Sequence, residues 1–302
     1  MSECPLISVL VPLYNHERYL SACLQSIADS RYPRLEVLVL DDGSRDGSLA
    51  DCLAWRDAHP GVFERFEIQT QPNAGITRTL NRLVASARGD YVALLASDDC
   101  LLPDGLRLRA EALAQHPHWL AVFGDSQVID AEGRLTHASG LTQLYPSSAR
   151  PAALIRPELI RLELILRWSV PGPGLMLRRQ AFDPVSGVGA YDETMVVEDR
   201  DFYLRLLTRD ALGYIDVAVA AYRFHGANSV RSESARLAQL DSLARAGLKS
   251  ARETRWIDAL AMRLDVARIR ATRDLWSPLR RTAWDALQAW QSLRLRWAQW
   301  AS

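Results

Sequence analysis

An alternation in the first hundred residues restricts the fold of this chain more than any other feature. The segments ISVLV (7–11), EVLVL (36–40) and YVALL (91–95) are short, apolar and rich in β-branched residues, and 65–69 is a weaker version of the same pattern. Uninterrupted apolar runs of this length suit strands covered on both faces. Between them, apolar residues recur at helical spacing: Leu20, Cys23, Leu24 and Ile27; then Leu49, Cys52 and Leu53; then Ile76, Leu80, Leu83, Val84 and Ala87, with Gly89 closing the last stripe. Strands alternating with helices predict an α/β fold with a Rossmann-like, mostly parallel central sheet flanked by helices. Ligands of such sheets bind outside the carboxyl ends of the strands.

Each of the four runs ends on polar, turn-prone residues: PLYN (12–15), DDGS (41–44), QPNAG (71–75) and SDD (97–99). Two of these ends carry adjacent like charges, Asp41-Asp42 and Asp98-Asp99. Paired carboxylates repel one another and pack poorly in a core, so a positive partner is expected beside them. The first strand is followed neither by a G-x-G-x-x-G turn nor by a phosphate loop of the G-x-x-x-x-G-K-[ST] type. A ligand bearing a diphosphate would therefore need Mg2+ or Mn2+ held by carboxylates and by its own phosphates. Taken singly, DDGS also reads as an ordinary turn and helix cap.

Further along, WLAVFGDSQVIDAEGR (119–134) reads as two strands separated by Gly124-Asp125, with a turn at 130–133. Residues 157–167 read as a helix, 174–179 as a strand, 198–207 as a helix with acids in its first turn, and 214–225 as a strand. Beyond 230 the strand pattern stops and an Ala-, Leu- and Arg-rich helical region follows. The expected organisation is one domain over 1–230, with a nucleotide-binding half (1–100) and an acceptor-binding half (101–230), and a C-terminal helical extension over 231–302.

Composition narrows the function classes. Lys+Arg 36 balances Asp+Glu 36, so no basic field exists to attract nucleic acid. The four cysteines form no C-x-x-C pair, which argues against a disulfide framework. MSECPLISVLVPLYN lacks a positive leader segment before its apolar run and reads as a strand. No stretch approaches the ~20 apolar residues of a spanning helix. A cytoplasmic protein is expected.

PLYN, DDGS, PNAG, SDD followed by LPD, and the Glu198-Asp199 pair resemble, in order and spacing, the motifs of family 2 glycosyltransferases of the GT-A fold, over residues 6 to about 230. The resemblance implies an inverting transfer of a sugar from a nucleotide diphosphate donor, a UDP- or dTDP-sugar, to a glycan or lipid-linked glycan. It implies that Pro12, Tyr14 and Asn15 flank the nucleotide, that Asp42 bonds the base, and that Asn73 and Gly75 lie near the nucleoside. Asp98 would ligate the metal, Asp99 would lie near the donor sugar or ribose, and His225 would approach the diphosphate or metal. Asp199 would be the catalytic base, with its neighbour Glu198 the other candidate. Ala96 stands where the family's acidic motif often begins with Asp.

In-line displacement makes chemical sense of these types: an acceptor hydroxyl needs a base, and a leaving diphosphate needs its charge stabilised. PGPG (171–174) reads as a loop near the acceptor or as a plain turn. In the tail, Ala283, Leu287, Trp290, Leu293, Trp297 and Trp300 recur at helical steps among arginines. That stripe suits packing on the domain or in a homodimer, and equally a peripheral contact with the inner face of a membrane. Two other functions stay open at this point: a sugar-nucleotidyltransferase, and a non-catalytic transferase-like module that binds partners.

Overall fold

The computed structural model describes residues 4–143, 154–167, 170–225 and 233–274. The chain divides into two compact units, Met1–Ser229 and Val230–Ser302. The first unit is built on one nine-stranded sheet. Its strands are β1 (Ile7–Leu13), β2 (Leu35–Asp41), β3 (Arg65–Thr70), β4 (Tyr91–Leu94), β5 (Cys100–Leu101), β6 (Ala121–Ile129), β7 (Leu135–His137), β8 (Leu175–Arg178) and β9 (Leu212–Arg223). Its helices are α1 (Glu17–Asp29), α2 (Ser48–Ala58), α3 (Ile76–Ser86), α4 (Gly105–Gln115), α5 (Gly140–Gln143), α6 (Pro157–Arg167) and α7 (Glu198–Thr208).

The strand order is β3-β2-β1-β4-β8-β6-β9-β5, with β7 on β6. The first four are parallel to one another, and β6 is parallel to β9. Strands β8, β5 and β7 run antiparallel to their neighbours, so the sheet is less uniformly parallel than the alternation predicts.

The apolar runs are buried on both faces, as their composition requires. Ile7, Val9, Val11 and Leu13 point into a cluster with Leu20, Cys23, Leu24 and Ile27 of α1. Leu10, Leu38, Leu40 and Val92 point the other way, onto Leu83 of α3. Two helix-stripe residues depart from the pattern: Leu53 and Ile76 are exposed.

Gly124-Asp125 is not a turn. β6 runs straight through it, and the register with β9 shifts at that point. A Cβ on Gly124 would lie 2.7 Å from Val217 O, so this glycine permits a close approach of two strands. The Asp125 carboxylate accepts the amides of Ser126 and Leu141.

The second unit contains α8 (Glu233–Ser250) and α9 (Trp256–Asp274), packed through Ala244, Val266 and Ile269. The tryptophan stripe of the tail lies outside the described residues. Among those described, no helix is long and apolar enough to cross a membrane.

Candidate functional site

Parallel pairing brings the carboxyl ends of β1, β2 and β4 together, with Leu13 opposite Asp41 and Leu10 opposite Leu94. The loop after β1 crosses to the loop after β2. The Asn15 amide donates to Ser44 Oγ at 2.9 Å, and Asn15 Oδ1 accepts the Arg45 amide at 2.8 Å. Asn15 takes a left-handed φ of 54°, which Asn tolerates better than most residues. Tyr14 beside it is 41% exposed, an aromatic ring open to a ligand. Pro12 pairs with Leu40, beyond the last residue of β1 that pairs with β4, so that neighbour does not need its missing N–H.

Asp42 is buried and serves as a latch. Its Oδ1 accepts Gln71 Nε2 at 2.8 Å and the Ala74 amide at 2.7 Å, and its Oδ2 accepts the Gly75 amide at 3.0 Å. The charged hydrogen bonds hold the 71–75 loop against the end of β2. Asn73 is exposed at the loop tip.

The SDD segment sends its two carboxylates in different directions. After β4, the two-residue strand β5 pairs antiparallel with Ala220 and Ala221 of β9, which brings the end of β9 onto the segment. Asp99 is turned inward, 2% exposed, and accepts the Arg223 amide at 2.8 Å. Burial, and then the charge of Asp98, pushes its carboxyl well above the usual range. Asp99 thus anchors β9 through Oδ1. Asp98 faces the opposite way, with Oδ2 at 3.0 Å from His225 Nε2. Arg223 brings positive charge to the paired acids, its charge drawing the Asp99 carboxyl down against burial; its Nε donates to the Asp98 backbone carbonyl at 2.7 Å, and its guanidinium lies 5.1 Å from the Tyr19 ring centre. Tyr19 in turn packs 4.7 Å from the His225 ring.

A residue that sequence reasoning passed over completes this centre. His16, directly after PLYN, places Nε2 at 3.7 Å from Asp98 Oδ2. Its Nδ1 lies 2.8 Å from Ser97 Oγ, and its backbone amide donates to Ser48 Oγ. Burial holds the His16 imidazole below its usual value against the opposing charge of Asp98. His16, Asp98 and His225 each offer an atom within 4.8 Å of the others, a spacing that could hold a metal ion. The available signal was the position of His16 at a strand's carboxyl end, where any ligand-capable side chain counts.

α7 ends just before β9 begins, which puts its start toward the carboxyl edge of the sheet. Glu198 and Asp199 open this helix. Burial raises Glu198 to about 8, with the Asp199 charge adding to it, and burial raises Asp199 to about 6 although the Arg200 amide bonds its Oδ1 at 2.7 Å. The preceding loop is tied to α3, where Asn81 exchanges hydrogen bonds with the Tyr191 backbone and Arg78 pairs with Glu193 at 3.1 Å. PGPG also belongs to this edge, since β8 starts beside the end of β4. It forms a short 3-10 turn at Gly172–Gly174, pinned by the wholly buried Arg109, whose Nη1 donates to the carbonyls of Pro173 and Leu175.

Comparison with known proteins gives this geometry a family. The family model described as Glycosyl transferase family 2 matches residues 8–185. The putative glycosyltransferase EpsE of Bacillus subtilis is 28% identical over 215 residues, 71% of this chain and 71% of that protein. Chondroitin synthase of Escherichia coli is 30% identical over 155 residues, 51% of this chain and 22% of the synthase. An uncharacterized glycosyltransferase of Rickettsia felis is 23% identical over 74% of this chain, which spans 35% of that relative. Among solved structures, S. aureus TarS 1-349 superposes with a TM-score of 0.64 at 17% identity, covering 88% of this chain and 72% of that one. The same protein in complex with UDP-GlcNAc gives 0.62 at 18%, covering 85% and 69%. The mannosyltransferase PcManGT from Pyrobaculum calidifontis, in complex with GDP-Man and Mn2+, gives 0.59 at 19%, covering 99% and 84%. At these identities the structural likeness is one of fold.

Proposed function

Because the chain belongs to glycosyl transferase family 2 and has the GT-A fold, we propose that it moves a sugar from a UDP- or dTDP-sugar to a hydroxyl of a glycan or lipid-linked glycan, with inversion. The observation that carries the reading is the Asp98–His225 contact at the sheet's carboxyl edge, beside the loops that Asn15 and Asp42 tie together. A carboxylate and an imidazole that meet there fit a divalent ion. Asp98 and His225 would hold Mg2+ or Mn2+. When bound, such an ion supplies positive charge for the departing diphosphate.

The chain's own groups do the rest. Asp42 already accepts three N–H donors, and a carboxylate has about four acceptor positions. The remaining one suits the ring N–H of uracil or thymine, with Pro12, Tyr14 and Asn15 at the nucleotide's flank and Asn73 and Gly75 near the nucleoside. Asp99 fixes β9 and so holds His225 in place. Asp199 takes the proton of the acceptor hydroxyl as its oxygen bonds the anomeric carbon and the bond to the diphosphate oxygen breaks. A carboxyl raised to about 6 is a better proton acceptor than one at the ordinary value while still ionised at neutral pH. TarS bound to UDP-GlcNAc and PcManGT bound to GDP-Man support a nucleotide-diphosphate sugar as the donor.

Titration calorimetry with UDP, dTDP, GDP and CDP, with and without Mn2+, tests the donor half. Metal-enhanced binding with uridine or thymidine preference is expected. Absence of any nucleotide binding would overturn the enzyme reading in favour of a non-catalytic module.

A further inference from the structure

His16 is the residue at this edge that the transfer chemistry above leaves without a task. Its ring is not placed by chance packing. The His16 amide is tied to Ser48 Oγ at 2.9 Å, at the start of α2, and its carbonyl accepts the Tyr19 and Leu20 amides of α1. Ser97, wholly buried, stands 2.8 Å from Nδ1. A metal-bound imidazole characteristically donates its second ring N–H to an oxygen acceptor, most often a carboxylate, backbone carbonyl or water, which fixes the tautomer and the ring's orientation; here the Ser97 hydroxyl oxygen stands in that place. With Nδ1–H donating to Ser97 Oγ, the Nε2 lone pair is left on the side of Asp98 Oδ2, 3.7 Å away. His225 Nε2 approaches the same oxygen at 3.0 Å. The three atoms lie close enough to share one ion.

We propose that His16 is a third protein ligand of the divalent ion, held for that purpose by Ser97, and that two imidazoles make the site select Mn2+ over Mg2+. The inference rests on the metal reading given above and extends it. Mg2+ is bound by carboxylates, phosphates and its own waters and dehydrates reluctantly, while nitrogen ligands bind the first-row metals with an affinity that rises along the series from Mn2+. A donor set of two nitrogens and one carboxylate therefore costs Mg2+ more than Mn2+. The UDP phosphates and water would complete the coordination.

Electron paramagnetic resonance of Mn2+ with UDP reads ligands and affinity without turnover. The wild-type protein should show nitrogen couplings from two imidazoles, and Mg2+ should displace the bound Mn2+ only when in excess over it. His16→Ala should lose one coupling and weaken Mn2+ by about 10-fold or more. His16→Asn, which can keep the contact with Ser97, should do the same while melting like the wild type. His225→Ala is the reference for loss of the other imidazole. If Mn2+ affinity and both couplings survive in the His16 variants but fall in His225→Ala, the His16 assignment is overturned and the metal reading stands. If the wild-type protein binds no Mn2+ beside UDP, both fall.

Discussion

Two neighbouring aspartates can share a turn and carry different duties, and the difference lies in what each oxygen meets. Asp99 accepts the Arg223 amide inside the protein, while Asp98 meets His225 at the edge. The same question governs Glu198 and Asp199. Asp199→Asn should keep the fold and the donor affinity yet lose about 10²–10⁴ in transfer rate, because its bond to the acceptor proton develops in the transition state. Glu198→Gln should be milder. Transfer rate and UDP affinity on the two variants check this, and an inactive, folded Glu198→Gln would move the base to that residue. The pH profile has a definite sign. A base whose carboxyl is raised to about 6 is lost as pH falls through that value, so kcat/KM should drop on the acid side near pH 6 in the wild type. His16 was legible from sequence only as a position at a strand's carboxyl end, not by its contacts. Its partner Ser97 lies 81 residues away, and only the parallel pairing of β1 with β4 brings them together.

Elements were legible where their signal is local. β1, β2 and α1 announce themselves by the spacing of their own apolar residues, which the two faces of the sheet then bury. β5 could not be read that way. Two residues carry no periodicity, and the strand exists only because β9 pairs with it. β6 was misread because glycine followed by aspartate looks like a turn, whereas the glycine answers to Val217 O of a strand that comes much later in the chain. The donor motifs PLYN, DDGS and QPNAG were legible as positions, but not the latch between them. Asp42→Asn would turn an amide NH2 toward backbone N–H groups, leaving a buried donor unpaired at a cost on the order of 1–3 kcal/mol. A lower melting temperature together with weaker UDP binding is expected. If binding weakens with no change in melting, Asp42 acts on the base alone. Contact between α4 and β9 gives a second element-scale test. A Cβ on Gly105 would stand 2.0 Å from Val219 O, whereas one on Gly172 meets nothing within 4 Å. Gly105→Ala should cost about 1–3 kcal/mol in urea unfolding and weaken Mn2+ binding with UDP, since β9 carries Arg223 and leads to His225. Gly172→Ala should do neither.

At the scale of the whole molecule, carboxylates held by the fold act on stability in both directions. At the amino edge of the sheet, burial alone would raise Glu36, but Ser8 Oγ, the Arg88 and Gly89 amides and Arg65 together bring it below its usual value. A carboxyl lowered on folding stabilises above its unfolded value and loses that contribution as pH falls through the folded one. At the carboxyl edge, burial raises Asp99, Glu198 and Asp199. There the folded state keeps protons that the unfolded chain has already released, so stability declines as pH climbs from the unfolded value to the folded one. Glu198 offers a test, because its raised value of about 8, set by burial and by the Asp199 charge, puts the window between roughly pH 4.5 and 8. Glu198→Gln removes the titrating group and keeps its shape. Urea midpoints measured every half pH unit should decline less steeply for Glu198→Gln than for the wild type across that window, and the variant should be relatively more stable at pH 8 than at pH 5. Parallel curves would mean that Glu198 is as well solvated in the folded chain as in the unfolded one. Glu198 would then not differ from any acid at the start of a helix, and the assignment of the base to Asp199 would rest on its own acid-side loss of kcat/KM near pH 6.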